Sequence, residues 1–195
     1  MIGEPGKYTL LIIDMQKDFV LPGAPAQVAG AYATIPFIQQ ALLCFRKKKW
    51  PVFHVVREHR EDGSDVESFR KEQFLEKKYA VTATPGCDIL DEIQPLPGEY
   101  RIVKKRFSAF MNTELDLILR RLGILHLVIS GTQYPTCIRA TITDAAAYGY
   151  DVTLLTDATS AQTQEIAEAN IRDIRNLGVS CVTTDQFTKS LERRM

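Results

Sequence analysis

Six short runs of apolar and β-branched residues punctuate the chain, and most are separated by longer stretches with the period of an amphipathic helix. The runs are YTLLII (8–13), PVFHVV (51–56), YRIV (100–103), HLVIS (126–130), DVTLL (151–155) and VSCVT (179–183). They have the length of strands and are too apolar to leave one face in water. Between them, 32–48 carries Ile35, Ile38, Leu42 and Phe45 on one face, and 113–122 carries Leu115, Ile118, Leu119 and Leu122. Residues 137–148 and 162–177 read as further helices closing near Gly149 and Gly178, where glycine suits a left-handed cap, and a last short helix follows Asp185. Such alternation predicts a doubly wound α/β fold, a mostly parallel six-stranded sheet with helices on both faces. A length of 195 residues, 45% hydrophobic, fits one such domain over 1–195. The charged stretch 57–99, with Pro85, Pro95 and Pro97, is too long for an ordinary connection and is expected to form an excursion over the sheet.

Charge narrows the class of partner. Lys plus Arg and Asp plus Glu both number 24, so no net field gathers nucleic acid or an anionic membrane, and a small-molecule substrate is the expectation. The four cysteines, Cys44, Cys87, Cys137 and Cys181, are widely spaced, with no C-x-x-C pair and no zinc-ligand cluster. They are expected to be free thiols in a reducing compartment. No apolar run approaches the roughly 18 residues of a membrane span, and MIGEPGKY lacks the apolar core of a signal peptide. A cytoplasmic protein without membrane contact is expected.

In open α/β sheets ligands bind beyond the carboxyl ends of the strands, so the residues there are the ones to inspect. The first strand ends in Asp14, the second runs into Arg57-Glu58-His59, the third ends in Lys104, and the fourth leads through GTQYPTC to Cys137. Cys137 precedes a helix-like run, and free N–H groups at a helix start favour the thiolate, the reactive form of cysteine. A neighbouring Lys104 ammonium would favour it further, and Asp14 could accept the thiol proton and return it to a leaving group. Each residue also has an ordinary reading: cysteine commonly packs as a small apolar group, which is the assignment for Cys44, Cys87 and Cys181. Aspartate at a strand end is often a turn residue, lysine there is often solvated, and His54 reads as a satisfied core histidine.

Three motifs in order, LLIIDMQKDF, K-x-x-x-SAF-x-NTEL and SGTQYPTCIRATITDAAAYGYDVTLLTDATSA, resemble the isochorismatase-like cysteine hydrolases, which include nicotinamidases, N-carbamoyl amide hydrolases and isochorismatases. The resemblance implies a catalytic triad of Asp14, Lys104 and Cys137. The spacing to Ser108-Ala109-Phe110 favours Lys104 over Lys105, with Lys104 pointing inward and Lys105 outward. It further implies a cis peptide between Thr132 and Gln133, and an oxyanion hole built from the Gln133 and Cys137 backbone N–H groups. Gln16, Phe19, Phe110 and Thr132 become candidate pocket residues, and a homo-oligomer, dimer or tetramer, is expected.

The chain departs from nicotinamidases after the second strand. Those enzymes carry an Asp-x-His pair and a further histidine that bind a divalent metal; here Arg57 stands in the aspartate position and no histidine lies between His59 and His126. A cation in place of a ligand carboxylate repels a metal, so no metal or other cofactor is expected. Arg57 either binds a substrate carboxylate or pairs with a protein carboxylate such as Glu58, Glu61 or Asp62. The favoured activity is metal-independent hydrolysis of a small amide or carbamoyl compound. The alternatives are vinyl-ether hydrolysis of the isochorismatase type, nicotinamidase, and a catalytically idle binding protein on the same scaffold.

Overall fold

The computed structural model describes residues 8–192. Its strands are β1 (Tyr8–Ile13), β2 (Val52–Arg57), β3 (Tyr100–Lys104), β4 (His126–Thr132), β5 (Asp151–Ser160) and β6 (Ser180–Val182). They form one sheet in the order β3-β2-β1-β4-β5-β6, parallel at every pairing. The helices are α1 (Lys17–Val20), α2 (Ile35–Lys48), α3 (Lys71–Lys77), α4 (Leu115–Arg121), α5 (Arg139–Ala147), α6 (Gln164–Asn176) and α7 (Thr184–Glu192). Among the described residues no helix is long and apolar enough to cross a membrane.

Strand pleating sorts the apolar residues into two cores. Leu10, Ile12 and Val128 pack with Ile38, Leu42 and Phe45 of α2 and with Phe187 and Leu191 of α7. Leu11, Ile13, Leu127 and Ile129 face the other way, onto Leu119 of α4, Ile142 of α5 and Ile174 of α6. The excursion is packed rather than loose, because Phe74, Tyr79, Ile89, Leu90 and Ile93 join the first core.

Boundaries differ from the sequence expectation where local chemistry intervenes. β5 runs on to Ser160 instead of stopping at 155, because its pairing with β4 resumes at Gly131↔Thr159 after a register shift, and its polar residues there hide the strand from a hydrophobicity pattern. α5 starts at Arg139 rather than 137, since Tyr134–Ile138 forms a wider π-helical turn. α2 begins at Ile35, preceded by a 3-10 turn over Tyr32–Thr34. Gly149 and Gly178 adopt φ of 85° and 89°, the left-handed caps expected of them. Gly131 has a different reason: a Cβ there would lie 2.1 Å from the Ile13 carbonyl oxygen, so only glycine lets β4 approach β1 at this level.

Behind β2 a half-buried cluster ties the excursion's last loop to the sheet. Arg46 donates to both Glu99 carboxylate oxygens at 2.7 and 3.0 Å. His54 meets Glu99 Oε2 at 2.9 Å, and the Leu96 N–H donates to the same oxygen at 2.9 Å. Burial pushes the Glu99 carboxyl up, but these donors outweigh it and hold it at about 2, against an ordinary value of 4.5. Burial lowers His54, with Glu99 pulling the other way. A depressed carboxyl contributes stability that is present above its unfolded value and lost as pH falls through the folded one. Glu99→Gln will therefore lower Tm at pH 7, with the deficit shrinking between about pH 4.5 and 2. A deficit that stays constant across melts from pH 7 to 3 would contradict that linkage.

Candidate active site

Strand order runs 1-2-3 one way and 4-5-6 the other, so the crevice between the ends of β1 and β4 is where an open α/β sheet takes a ligand. Asp14 leaves β1 there with its backbone in the left-handed region, φ 53°, which aspartate tolerates better than most residues. Lys104 closes β3 and is fully buried, with 0% exposure. Cys137, 6% exposed, sits in the π-helical turn between β4 and α5.

The Lys104 ammonium has three protons and three partners: Asp14 Oδ2 at 2.8 Å, the Arg106 carbonyl at 3.3 Å and Cys137 Sγ at 3.4 Å. Its orientation is thereby fixed. Asp14 keeps Oδ1 buried and without a hydrogen-bond partner among the described residues. Arg57 Nη2 lies 3.7 Å from Cys137 Sγ, so the sulfur meets two cationic donors. Lys105 is turned outward, donating to the Glu58 carbonyl at 2.6 Å and pairing with Asp65 at 3.1 Å.

The motif residues around the site brace it. Thr141 Oγ1 donates to the Cys137 carbonyl at 2.7 Å and accepts from the Ala109 N–H at 3.0 Å, joining the start of α5 to the SAF segment. Ser108 Oγ accepts from Phe110 N–H, and Thr113 donates to the Ala109 carbonyl. Tyr134 donates to the Thr156 carbonyl at 3.1 Å and pins the turn to β5.

Arg57 engages a carboxylate other than the three expected. Its Nη1 pairs with Glu67 at 3.2 Å rather than with Glu58, Glu61 or Asp62. Glu58 is drawn to Arg101 of β3 instead, while Glu67 reaches the site from the excursion. Burial pulls the guanidinium down, but the field of Cys137, Asp14 and Glu67 outweighs it and holds Arg57 above its ordinary range.

A narrow cavity of about 40 Å³ opens onto the sulfur, lined among others by Asp14, Phe19, Arg57, Arg70, Thr132 and Gln133. The Thr132–Gln133 peptide on its wall is cis. Two other candidates lie elsewhere. Gln16 spends its amide on the backbone, accepting from Arg57 N–H and donating to the carbonyls of Arg57 and Cys87, each at 2.8 Å, so it clamps β2 to the excursion instead of lining the pocket. Phe110 stacks on Tyr150 in the second core and lies tilted against Tyr148. A larger recess of about 610 Å³ lies beside β5, but its one carboxylate, Asp157, is taken by the N–H and hydroxyl of Thr184, and it holds no nucleophile with a base beside it. Chemistry rather than size marks the Cys137 cavity as the candidate site.

Sequence reading missed Glu67 and Arg70. Neither belongs to a motif, and only the folding of the excursion brings them to the site. Thr141, a β-branched polar residue four positions after Cys137 on an otherwise helix-forming stretch, offered a weak signal.

The donors near His59 do not fit a divalent metal. The imidazole is fully buried, with Nδ1 3.3 Å from Asp65 Oδ1, and burial followed by the Arg57 cation pulls it down to about 4. Among the described residues no group of three His, Cys, Asp or Glu side chains is arranged to hold a metal ion.

Comparison with known proteins agrees with this architecture. Residues 8–186 match the isochorismatase domain model. An Arabidopsis thaliana protein described as a probable inactive nicotinamidase is 41% identical over 186 residues, covering 93% of this chain and 95% of that one. The crystal structure of an isochorismatase family protein from Desulfovibrio vulgaris is 51% identical, with a TM-score of 0.92 over 95% of this chain and 98% of its own. N-carbamoylsarcosine amidase from Thermoplasma acidophilum is 26% identical with a TM-score of 0.77, over 92% of this chain and 97% of its own. The six-stranded parallel sheet, the order of the motifs and these matches together make the chain a member of the isochorismatase family of hydrolases.

Proposed function

We propose that the protein is a metal-independent cysteine hydrolase of a small amide or carbamoyl compound, acting through a thioester on Cys137. The observation that carries this reading is the sulfur's setting, 3.4 Å from the Lys104 ammonium and 3.7 Å from the Arg57 guanidinium, with a buried carboxylate held to that ammonium at 2.8 Å. Asp14 takes the thiol proton, and the thiolate attacks the carbonyl carbon to give a tetrahedral oxyanion, for which the Gln133 and Cys137 backbone N–H groups are the donors. Collapse breaks the C–N bond, and the departing amine takes the proton from Asp14. Water then gives a proton to Asp14 and attacks the thioester; breakdown of the second tetrahedral intermediate frees the acid and returns the proton to sulfur. Lys104 stays charged throughout, holding Asp14 in place and stabilising the thiolate. Nicotinamide is disfavoured as substrate, because Arg57 stands where the resemblance to nicotinamidases implies a metal-binding carboxylate, and the relative from Arabidopsis is itself described as a probable inactive nicotinamidase.

This reading makes Cys137 the most reactive of the four thiols. Burial pushes the others up, Cys87 to about 11 and Cys44 and Cys181 in the same direction. Brief treatment with substoichiometric iodoacetamide, followed by peptide mass spectrometry, will place most of the label on Cys137. Label going first to Cys44 or Cys181 would remove the support for a cysteine nucleophile.

A further inference from the structure

Arg70 is the one cation at the cavity that the proposed chemistry leaves idle. It leads into α3 from the excursion and lines the cavity together with Asp14, Arg57 and Cys137. Its guanidinium is held between two aromatic faces, 5.5 Å from the Phe107 ring centroid and 5.7 Å from that of Tyr79. That packing restricts a side chain that would otherwise be mobile, and it leaves the guanidinium edge available for planar hydrogen bonding. No side-chain hydrogen bond or ion pair joins Arg70 to any other described residue. Glu67, whose carboxyl feels the Arg70 field, is already taken by Arg57 at 3.2 Å. Of the charged residues that line the cavity, Arg57 and Arg70 are cations and Asp14 is the carboxylate, and Asp14 is already met by Lys104 at 2.8 Å. The cations that touch the sulfur are Lys104 and Arg57, so Arg70 is the cation at the cavity that no described side chain pairs with.

We propose that Arg70 is the specificity residue of this site and that it seats a carboxylate on the substrate, making the substrate an amide or carbamoyl compound that also carries an acid group. The inference rests on the hydrolase reading for its reaction but not for its binding step. A guanidinium edge accepts a carboxylate through two parallel hydrogen bonds, a geometry that a neutral amide cannot match. Arg57, for which the sequence left this task open beside a structural pairing, is committed to Glu67 and the sulfur. The cavity's narrowness favours a small acid, with its carboxylate near Arg70 and its scissile carbon near Cys137.

The reagent pair iodoacetate and iodoacetamide tests this without knowledge of the substrate, since both alkylate sulfur and only the first carries a carboxylate. With rates normalised to glutathione, Cys137 will favour iodoacetate by tenfold or more. Arg70→Met will lower that ratio by about the same factor, and Arg70→Lys, which keeps the charge without the planar edge, will restore only part of it. A ratio near one in the unmodified protein overturns the proposal, as does an Arg70→Met variant that slows both reagents alike. A second measurement separates this from the hydrolase reading. Titration calorimetry of Cys137→Ala with N-carbamoylglycine and with its carboxamide will show the acid binding at least tenfold tighter, and Arg70→Met added to that background will erase the difference. If Cys137 proves inert while the acid preference persists and depends on Arg70, the nucleophile assignment falls and the carboxylate seat stands. If Cys137 is reactive and acid and carboxamide bind equally, the seat falls and the hydrolase reading stands.

Discussion

Cys137→Ala will lower kcat/KM on the order of 10⁴-fold or more, and Asp14→Asn and Lys104→Met nearly as far, measured on a substrate found by screening small amides and carbamoyl compounds. The double variants will be little worse than the worst single one. Such non-additivity follows from the geometry: Lys104 donates simultaneously to Asp14 Oδ2 and to Cys137 Sγ, so the three residues act as one unit and the loss of one disables the others. The single variants differ in how the thiol behaves. Lys104→Met removes a cation 3.4 Å from the sulfur and should slow iodoacetamide alkylation near neutral pH. Asp14→Asn removes the proton carrier and leaves that cation in place, so turnover falls while alkylation persists. Full activity of Cys137→Ala would end the thioester mechanism and return vinyl-ether hydrolysis, which does not require the thiol, to consideration. If no compound is turned over and Cys137 is also inert, the idle scaffold becomes the better description.

Much of this arrangement was legible in the chain because strand ends have a fixed address. A run such as YTLLII can only be a buried strand, and in a parallel sheet its last residue must lie at the ligand-binding edge, so Asp14, Lys104 and Cys137 could be assigned to one place from separate segments. The spacing to Ser108-Ala109-Phe110 that the resemblance implies pointed to Lys104 as the inward lysine and Lys105 as the outward one, and their side chains lie so. What was not legible came from the excursion. Residues 57–99 follow no period, and their packing depends on single contacts such as Asp18 Oδ2 accepting the Ala80 N–H at 2.7 Å and the Gln16 clamp on Arg57 and Cys87. Those contacts determine that Glu67 rather than a nearer carboxylate meets Arg57, and that Arg70 reaches the cavity. Gln16 and Phe110 show the converse limit. Their motifs mark them as important, but the importance is backbone support in one case and ring packing in the other.

Stability and activity will separate at the buried ion pair. Lys104→Met leaves Asp14, 3% exposed, with a charge that its direct partner no longer meets. Removing one member of a buried pair typically costs about 3–5 kcal/mol. The lower end, about 3 kcal/mol, is expected here because Arg57 remains in the field of Asp14. Adding Asp14→Asn to Lys104→Met removes the unmet charge and substitutes a neutral amide of nearly the same shape. An unsatisfied neutral group costs only about 1–3 kcal/mol, so the double variant will recover part of the lost stability in urea titrations. Its turnover will remain as low as that of either single variant, because neither the proton carrier nor the cation beside the sulfur has returned. A double variant whose stability loss equals the sum of the Lys104→Met and Asp14→Asn losses would mean that the 2.8 Å contact contributes no coupling. Recovery of turnover together with stability would mean that the pair supports the fold alone, leaving Cys137 to be activated by Arg57.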